Sequence, residues 1–254
     1  MFVENGWVDS EIKGDAKLWR YMDFTKLVSI LSTKSMFFCR ADNFRDKFEG
    51  KIFAYTDEHA ISALNRVLTA EKWSQRRKVS VIEEIERIKN LLFEQMDKER
   101  ERVFINCWHL NNYESAAMWD LYCNGREGIA IQTTFDRLKS SLNACEEEIF
   151  VGKVKYMDHT IENNLDKNFI EPFFTKRISF SHENEVRLLS VNPTYDVDNE
   201  NLLGKDIKMN IIDLIENVYV YPDAAPWFVN VVNAVLEQFG VKVKAIPSEL
   251  YNLK

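Results

Sequence analysis

The apolar positions of this chain switch between a spacing of two and a spacing of three or four. Those switches divide the chain into elements. Residues 18–21, Leu18-Trp19-Arg20-Tyr21, read as a short first strand. Asp23 can cap a helix over 24–32, where Leu27, Ile30 and Leu31 form an apolar stripe. Residues 35–40 read as a second strand and 42–50 as a polar turn segment. The stretch 56–100 reads as helical throughout: Ile82, Ile85, Ile88, Leu92 and Met96 recur every third or fourth position among Lys, Arg, Glu and Gln. That pattern predicts a helical hairpin set on the body of the domain.

The second half reads as alternating strands and helices. Strands are expected over 102–109, 128–133, 148–156, 176–189, 217–221 and 242–246. Helices are expected over 135–142, 164–174 and 226–239, the last ending at Gly240. Ser115 can cap a helix running to Tyr122, which Asn124-Gly125 would end through a left-handed residue. Asn192-Pro193 marks a turn, followed by a polar loop over 196–205. The expected fold is a single α+β domain, 1–254. It has a mixed, mainly antiparallel sheet and one helical insertion at about 56–100.

The segment from Lys176 to Leu189 is the most informative. Read as one strand, it puts Val186 and Leu188 on one face and Glu183, Glu185 and Arg187 on the other. That second face is either solvated, with Arg187 paired to Glu185, or the floor of a polar cleft. The two carboxylates would stand about 7 Å apart along the strand. They could share one substrate, one binding a sugar hydroxyl while the other orients a nucleophile.

Two further groups qualify as site candidates. Arg20 can hold a phosphate bidentately, with Trp19 and Tyr21 on the opposite strand face. In 115–122, Trp119 and Tyr122 can stack on a planar ring or simply pack the core. Gly125-Arg126-Glu127-Gly128 is too short for a phosphate-cradling loop and reads as a tight turn. Cys107-x-His109 is not a zinc spacing, and no metal is expected. Walker, Rossmann and nucleophile-elbow motifs are absent from the sequence.

Composition narrows the class. The net charge of −7 argues against a dedicated duplex-binding protein. No apolar run reaches the ~18 residues of a membrane span. No secretory signal opens the sequence, and Cys39, Cys107, Cys123 and Cys145 lack paired spacing. A cytoplasmic protein with free thiols is expected.

The ordered set of short motifs resembles the bacterial domain of unknown function 2971 family. The segments are Leu18 to Tyr21, Phe44 to Glu49, Cys107-Trp108, Met118-Trp119 with Tyr122, Gly128, Val154 with Tyr156, Lys176 through Arg187, and Val218 to Ile246. The resemblance covers nearly the whole chain apart from the helical insertion and part of the polar loop. Two places depart from the family pattern. Arg45-Asp46-Lys47 stands where Asn-Asp-Pro is usual, and Leu121 stands where a His usually precedes the Tyr.

The family layout is similar to that of ADP-ribosyltransferases. The resemblance implies NAD as substrate, cleavage of its nicotinamide N-glycosidic bond, and a role as a toxin or phage-defence effector. It implies Glu185 as the catalytic carboxylate and Glu183 positioning the acceptor, a protein or nucleic acid. Arg20 would contact the pyrophosphate, and Tyr21, Trp119 and Tyr122 would line the nicotinamide pocket. The alternative is a non-catalytic module of a bacterial conflict system, docking a partner or nucleic acid through 56–100 and its Arg76-Arg77-Lys78 cluster.

Overall fold

The computed structural model describes residues 12–51, 75–123, 125–158, 169–195 and 202–251. It is an α+β fold built on a mixed, mostly antiparallel sheet. The strands are β1 (Lys17–Asp23), β2 (Ser35–Arg40), β3 (Val103–Leu110), β4 (Gly128–Thr134), β5 (Phe150–Lys153), β6 (Lys155–Met157), β7 (Thr175–Arg177), β8 (Glu185–Val191), β9 (Gly204–Lys208), β10 (Asn217–Val220) and β11 (Ala245–Pro247). The large sheet runs β11-β10-β4-β1-β3-β2-β9, with β8 also on β3 and β5 on β8. Among the described residues only β10 and β11 pair in parallel within it; β6 and β7 form a separate parallel pair.

The helices are α1 (Phe24–Thr33), α2 (Gln75–Arg100), α3 (Ala116–Tyr122), α4 (Phe135–Ser141), α5 (Ile211–Leu214) and α6 (Pro226–Gln238). Helices α1, α4 and α6 cover one face of the sheet. Leu27, Ile30, Leu31, Leu138, Phe228, Val232 and Leu236 pack there against Leu18, Trp108, Val186 and Leu188. The opposite face carries two smaller apolar clusters. One lies under α3 and holds Trp19, Tyr21, Met118 and Trp119; the other holds Val103, Ile105, Phe173 and Leu189. The ladder puts His109 beside Trp19 and Glu185, and Cys107 beside Arg187. Paired residues share a face. The charged residues of β8 therefore lie between the two small clusters.

Strand β3 is split along one edge. β1 pairs with its end at His109 and Leu110, β2 with its start at Phe104 and Ile105. Residues 106–108 pair with neither, while β8 pairs with the full opposite edge. Side chains satisfy groups at the split, as buried backbone requires. Arg20 donates from Nη1 to the Cys107 carbonyl, and Asn106 donates to the Phe37 carbonyl at 2.9 Å.

Several sequence expectations need correction. The strand expected over 176–189 is two strands joined by a 3₁₀ turn, Ile178–Glu183. The strand expected over 148–156 breaks at Val154 into β5 and β6, which belong to different sheets. Asp23 stands at the cap position of α1 but makes no side-chain cap hydrogen bond. α3 stops with Cys123 in extended conformation; Asn124 lies outside the described residues. Part of the expected polar loop is β9, which pairs with β2. Of the expected 164–174 helix, the described part is a 3₁₀ turn at Glu171–Phe174.

Of the expected helical hairpin, α2 is the described portion; 52–74 and the side chains of the Arg76-Arg77-Lys78 cluster lie outside the described residues. The Ser115 cap is present, its hydroxyl accepting from the Met118 N–H. All four cysteines are free thiols. Among the described residues, no helix is long and apolar enough to cross a membrane.

Candidate functional site

Five ionisable side chains converge in the interior. The Lys176 ammonium lies 3.0 Å from Glu49 Oε1, 2.7 Å from Glu183 Oε2 and 2.8 Å from Glu185 Oε1. Arg187 Nε donates to Glu185 Oε2 at 2.6 Å, and its Nη1 lies 2.9 Å from Glu49 Oε2. Nη1 also donates to the Phe173 carbonyl at 2.6 Å. The Arg187 side chain is 0% exposed, which rules out the solvated strand face. Burial of this many charges is tolerated only with close pairing.

Each member is placed by a local device. Glu185 and Arg187 alternate with Val186 and Leu188 on β8, as the sequence pattern requires. Glu183 is not on that strand. It ends the 3₁₀ turn, and Asn184 follows in the left-handed region at φ 37°. Asn is one of the few residues that enters that region readily. Its side chain donates to the Leu110 carbonyl, and the Leu110 N–H donates to the Asn184 carbonyl at 2.9 Å. The turn is thus tied to the end of β3. The Glu185 N–H donates to the Tyr156 phenol oxygen at 2.9 Å.

Glu49 comes from the segment read as a polar turn. Asp46 folds that turn, its carboxylate accepting from the Phe48 N–H and its carbonyl from the Glu49 N–H, both at 3.1 Å. Gly50 follows with φ 71°, and a Cβ there would lie 2.3 Å from the Phe173 ring. Only glycine meets both demands without strain. Gly152, opposite Arg187 in the ladder, leaves room for the Phe174 ring at 3.0 Å from where a Cβ would stand.

Electrostatics separate the two neighbouring carboxyls. Burial, and then the hydrogen bond and charge of Glu185, push Glu183 up to about 8. Burial alone would push Glu185 up as well. Arg187, the hydrogen bond with Glu183, and Lys176 outweigh it and hold Glu185 well below the usual carboxylate range. Burial disfavours charge on Lys176 and Arg187, yet the surrounding carboxylates hold both well above their ordinary values. At formal charges, three carboxylates face two cations. One positive charge is missing, and a proton on Glu183 supplies it at neutral pH.

The sequence candidates fall into two groups. Glu183 and Glu185 share the Lys176 ammonium, and Arg20 reaches the carbonyl of Cys107, which stands opposite Arg187 in the ladder. The Tyr122 phenol is pushed up by burial and by Glu183, Cys107 and Glu185. The Arg20 guanidinium is lowered by burial, which Cys107 and Tyr122 oppose. Tyr122 is 42% exposed yet strongly desolvated by the protein around it.

Tyr21 and Trp119 sit apart from this group. Their rings meet edge-on at 4.9 Å inside the cluster under α3. The Tyr21 hydroxyl accepts from the Ser115 N–H, and Trp119 Nε1 donates to Glu114. Both are buried, and the Tyr21 ring also meets the His109 ring edge-on at 6.3 Å.

Sequence reasoning assigned no role to Glu49, Lys176 or His109. His109 is buried, its Nδ1 lies 2.7 Å from the Glu183 carbonyl oxygen, and burial lowers its pKa. Neutral with Nδ1–H donating, it holds the backbone of the turn. In the sequence Glu49 lies in a segment read as a polar turn, and Lys176 opens a segment read as a strand. Among the described residues, no group of three His, Cys, Asp or Glu is arranged to hold a metal ion. The three carboxylates point instead at the Lys176 ammonium.

A family model described as a protein of unknown function (DUF2971) matches residues 118–188. That span holds Trp119, Tyr122, Lys176, Glu183, Glu185 and Arg187. Arg20, Tyr21 and Glu49 lie outside it. The sequence resemblance extended over nearly the whole chain; the matched span is less than half of it. No curated protein and no solved structure matches the chain. Over residues 118–188, the chain is similar to the DUF2971 family of unknown function.

Proposed function

We propose that the protein cleaves the N-glycosidic bond of NAD and passes ADP-ribose to an acceptor, on a fold of the ADP-ribosyltransferase type. The observation that carries this reading is the charge count: a buried group of three carboxylates and two cations, one positive charge short. A ligand bearing a single positive charge next to Glu183 completes the count in place of the proton. The pyridinium of NAD is such a ligand. So is the oxocarbenium-like ribose formed when nicotinamide leaves.

In this reading Glu183 faces the cation. Glu185, with both oxygens held by Lys176 and Arg187, fixes it there. This divides the roles differently from the sequence expectation, in which Glu185 was catalytic. The bond between C1′ and the pyridinium nitrogen breaks, and its electron pair stays on that nitrogen, so neutral nicotinamide leaves. The positive charge moves to C1′ and the ring oxygen, beside the Glu183 carboxylate. The acceptor's lone pair then bonds to C1′, and its proton returns to Glu183, restoring the resting state. Tyr122 forms the aromatic wall against the ring.

The alternative is docking of a partner or nucleic acid through 56–100. Among the described side chains of α2, Glu83, Glu84, Glu94 and Asp97 stand exposed against Arg87 and Lys98, an acidic balance that does not favour nucleic acid.

The test is nicotinamide release from NAD by wild type and by Glu183→Gln. The variant copies the protonated form, so the fold should persist while release falls by 100-fold or more. Equal release by both proteins, or none by wild type with protein and nucleic-acid acceptors supplied, would defeat the proposal.

A further inference from the structure

Beside the buried group lies a second constellation that the reaction as drawn does not use. Arg177 forms a two-point ion pair with Asp46, Nε to Oδ2 at 3.2 Å and Nη2 to Oδ1 at 3.0 Å. Its guanidinium carbon sits 4.6 Å from the centroid of Phe48 and 5.3 Å from that of Phe180. The Lys176 ammonium lies 4.8 Å from the same Phe180 ring, so one ring touches both the buried charges and this outer cation.

The constellation faces solvent. The Arg177 side chain is 39% exposed, Phe48 46% and Ile178 56%. Among the described residues, no acceptor meets Arg177 Nη1. Arg45 and Lys47 flank Asp46 and are exposed. The Lys47 ammonium donates to the Asp42 carbonyl at 3.2 Å, so Arg177 is the cation that pairs with Asp46.

A planar guanidinium fixed by a carboxylate and two rings, partly exposed and with Nη1 unmet among the described residues, is pre-organised for a phosphate. The exposed Phe48 ring beside it offers a stacking surface for a planar base. We propose that Arg177 and Phe48 form the subsite for the phosphate and base end of a nucleotide, on the rim of the Glu183 site. This deepens the proposed NAD reaction and rests on it for the identity of the ligand. Arg20, partly buried against the Cys107 carbonyl, is less suited to that task.

The experiment is calorimetric titration with ADP, which carries the phosphates and adenine but no nicotinamide. Inorganic pyrophosphate and nicotinamide serve as separate probes. Arg177→Ala should weaken ADP at least tenfold and leave nicotinamide unchanged. Phe48→Ala should weaken ADP several-fold and leave pyrophosphate unchanged. Because Arg177→Ala leaves Asp46 unpaired, the double variant Asp46→Asn/Arg177→Gln removes the pair together and should show the same loss. ADP binding of unchanged strength in these variants, or no ADP binding by wild type at millimolar concentration, overturns the subsite. ADP bound through Arg177 with no nicotinamide release from NAD keeps the subsite and refutes the reaction.

Discussion

Lys176 donates to Glu183 at 2.7 Å across an intervening 3₁₀ turn, and that contact closes the turn onto the sheet. Lys176 is also paired with Glu49 and Glu185. Its replacement by Met would leave three carboxyl groups around the single charge of Arg187. Removing one partner of a buried ion pair costs about 3–5 kcal/mol. Lys176→Met should lose stability of that order in urea unfolding at pH 7, with partial recovery at pH 5 as carboxyls take up protons.

The Glu183 carboxyl has a pH signature. Burial and the neighbouring Glu185 raise it to about 8 in the folded protein, from an ordinary glutamate value of 4.5. Between those values the folded state binds more protons than the unfolded state. Stability therefore falls as pH rises through that window, until the folded group has titrated. Glu185, held low, acts on the other side, losing its contribution as pH falls below the ordinary carboxylate value. Urea midpoints of wild type should decline from pH 6.5 to 8.5. Glu183→Gln should remove most of that decline, and equal slopes would contradict the assignment.

Gly50 has no substitute. Alanine there meets both a positive φ and the Phe173 ring. The left-handed conformation alone costs about 1–2 kcal/mol in a non-glycine residue, and overpacking adds about 1–3 kcal/mol. Gly50→Ala should unfold at distinctly lower urea. If it folds, Glu49 is displaced from Lys176 and Arg187, so nicotinamide release should fall with it.

The thiols give a simple check. Cys39, Cys107, Cys123 and Cys145 are all free, so denatured, unreduced protein should titrate four groups. Burial pushes Cys107 well up and Cys123 to about 12. In the native protein these two should react with a thiol reagent far more slowly than after denaturation, because little thiolate forms. Rapid native labelling of Cys107 would show that this part of the site opens.

The alternation of Val186 and Leu188 with Glu185 and Arg187 was legible because a strand with one apolar face imposes period two. Helices α1, α4 and α6 were legible because each carries an apolar stripe at helical spacing, Leu27, Ile30 and Leu31 in α1 among them. The placement of Glu183 was not. Its position depends on Asn184 turning left-handed, and Asn in Glu-Asn-Glu looks like any polar strand residue. Glu49 was hidden because a charged residue in a Gly-ended segment reads as solvated turn. Only the fold shows that Lys176 and Arg187 lie opposite it. Tyr21 and Trp119 looked like stacking rings because burial of an aromatic cannot be told from ligand contact by type and spacing alone. β9 escaped notice because its polar edge-strand sequence lacks an alternating pattern.

In the proposed reaction a cationic substrate displaces the proton from Glu183. The most direct measurement is the pH dependence of kcat/KM for nicotinamide release from NAD, corrected for uncatalysed hydrolysis. The proton and the substrate's positive charge compete for one place, so kcat/KM should rise with pH and level off above about 8. A profile that is flat, or that falls across that range, would contradict the account.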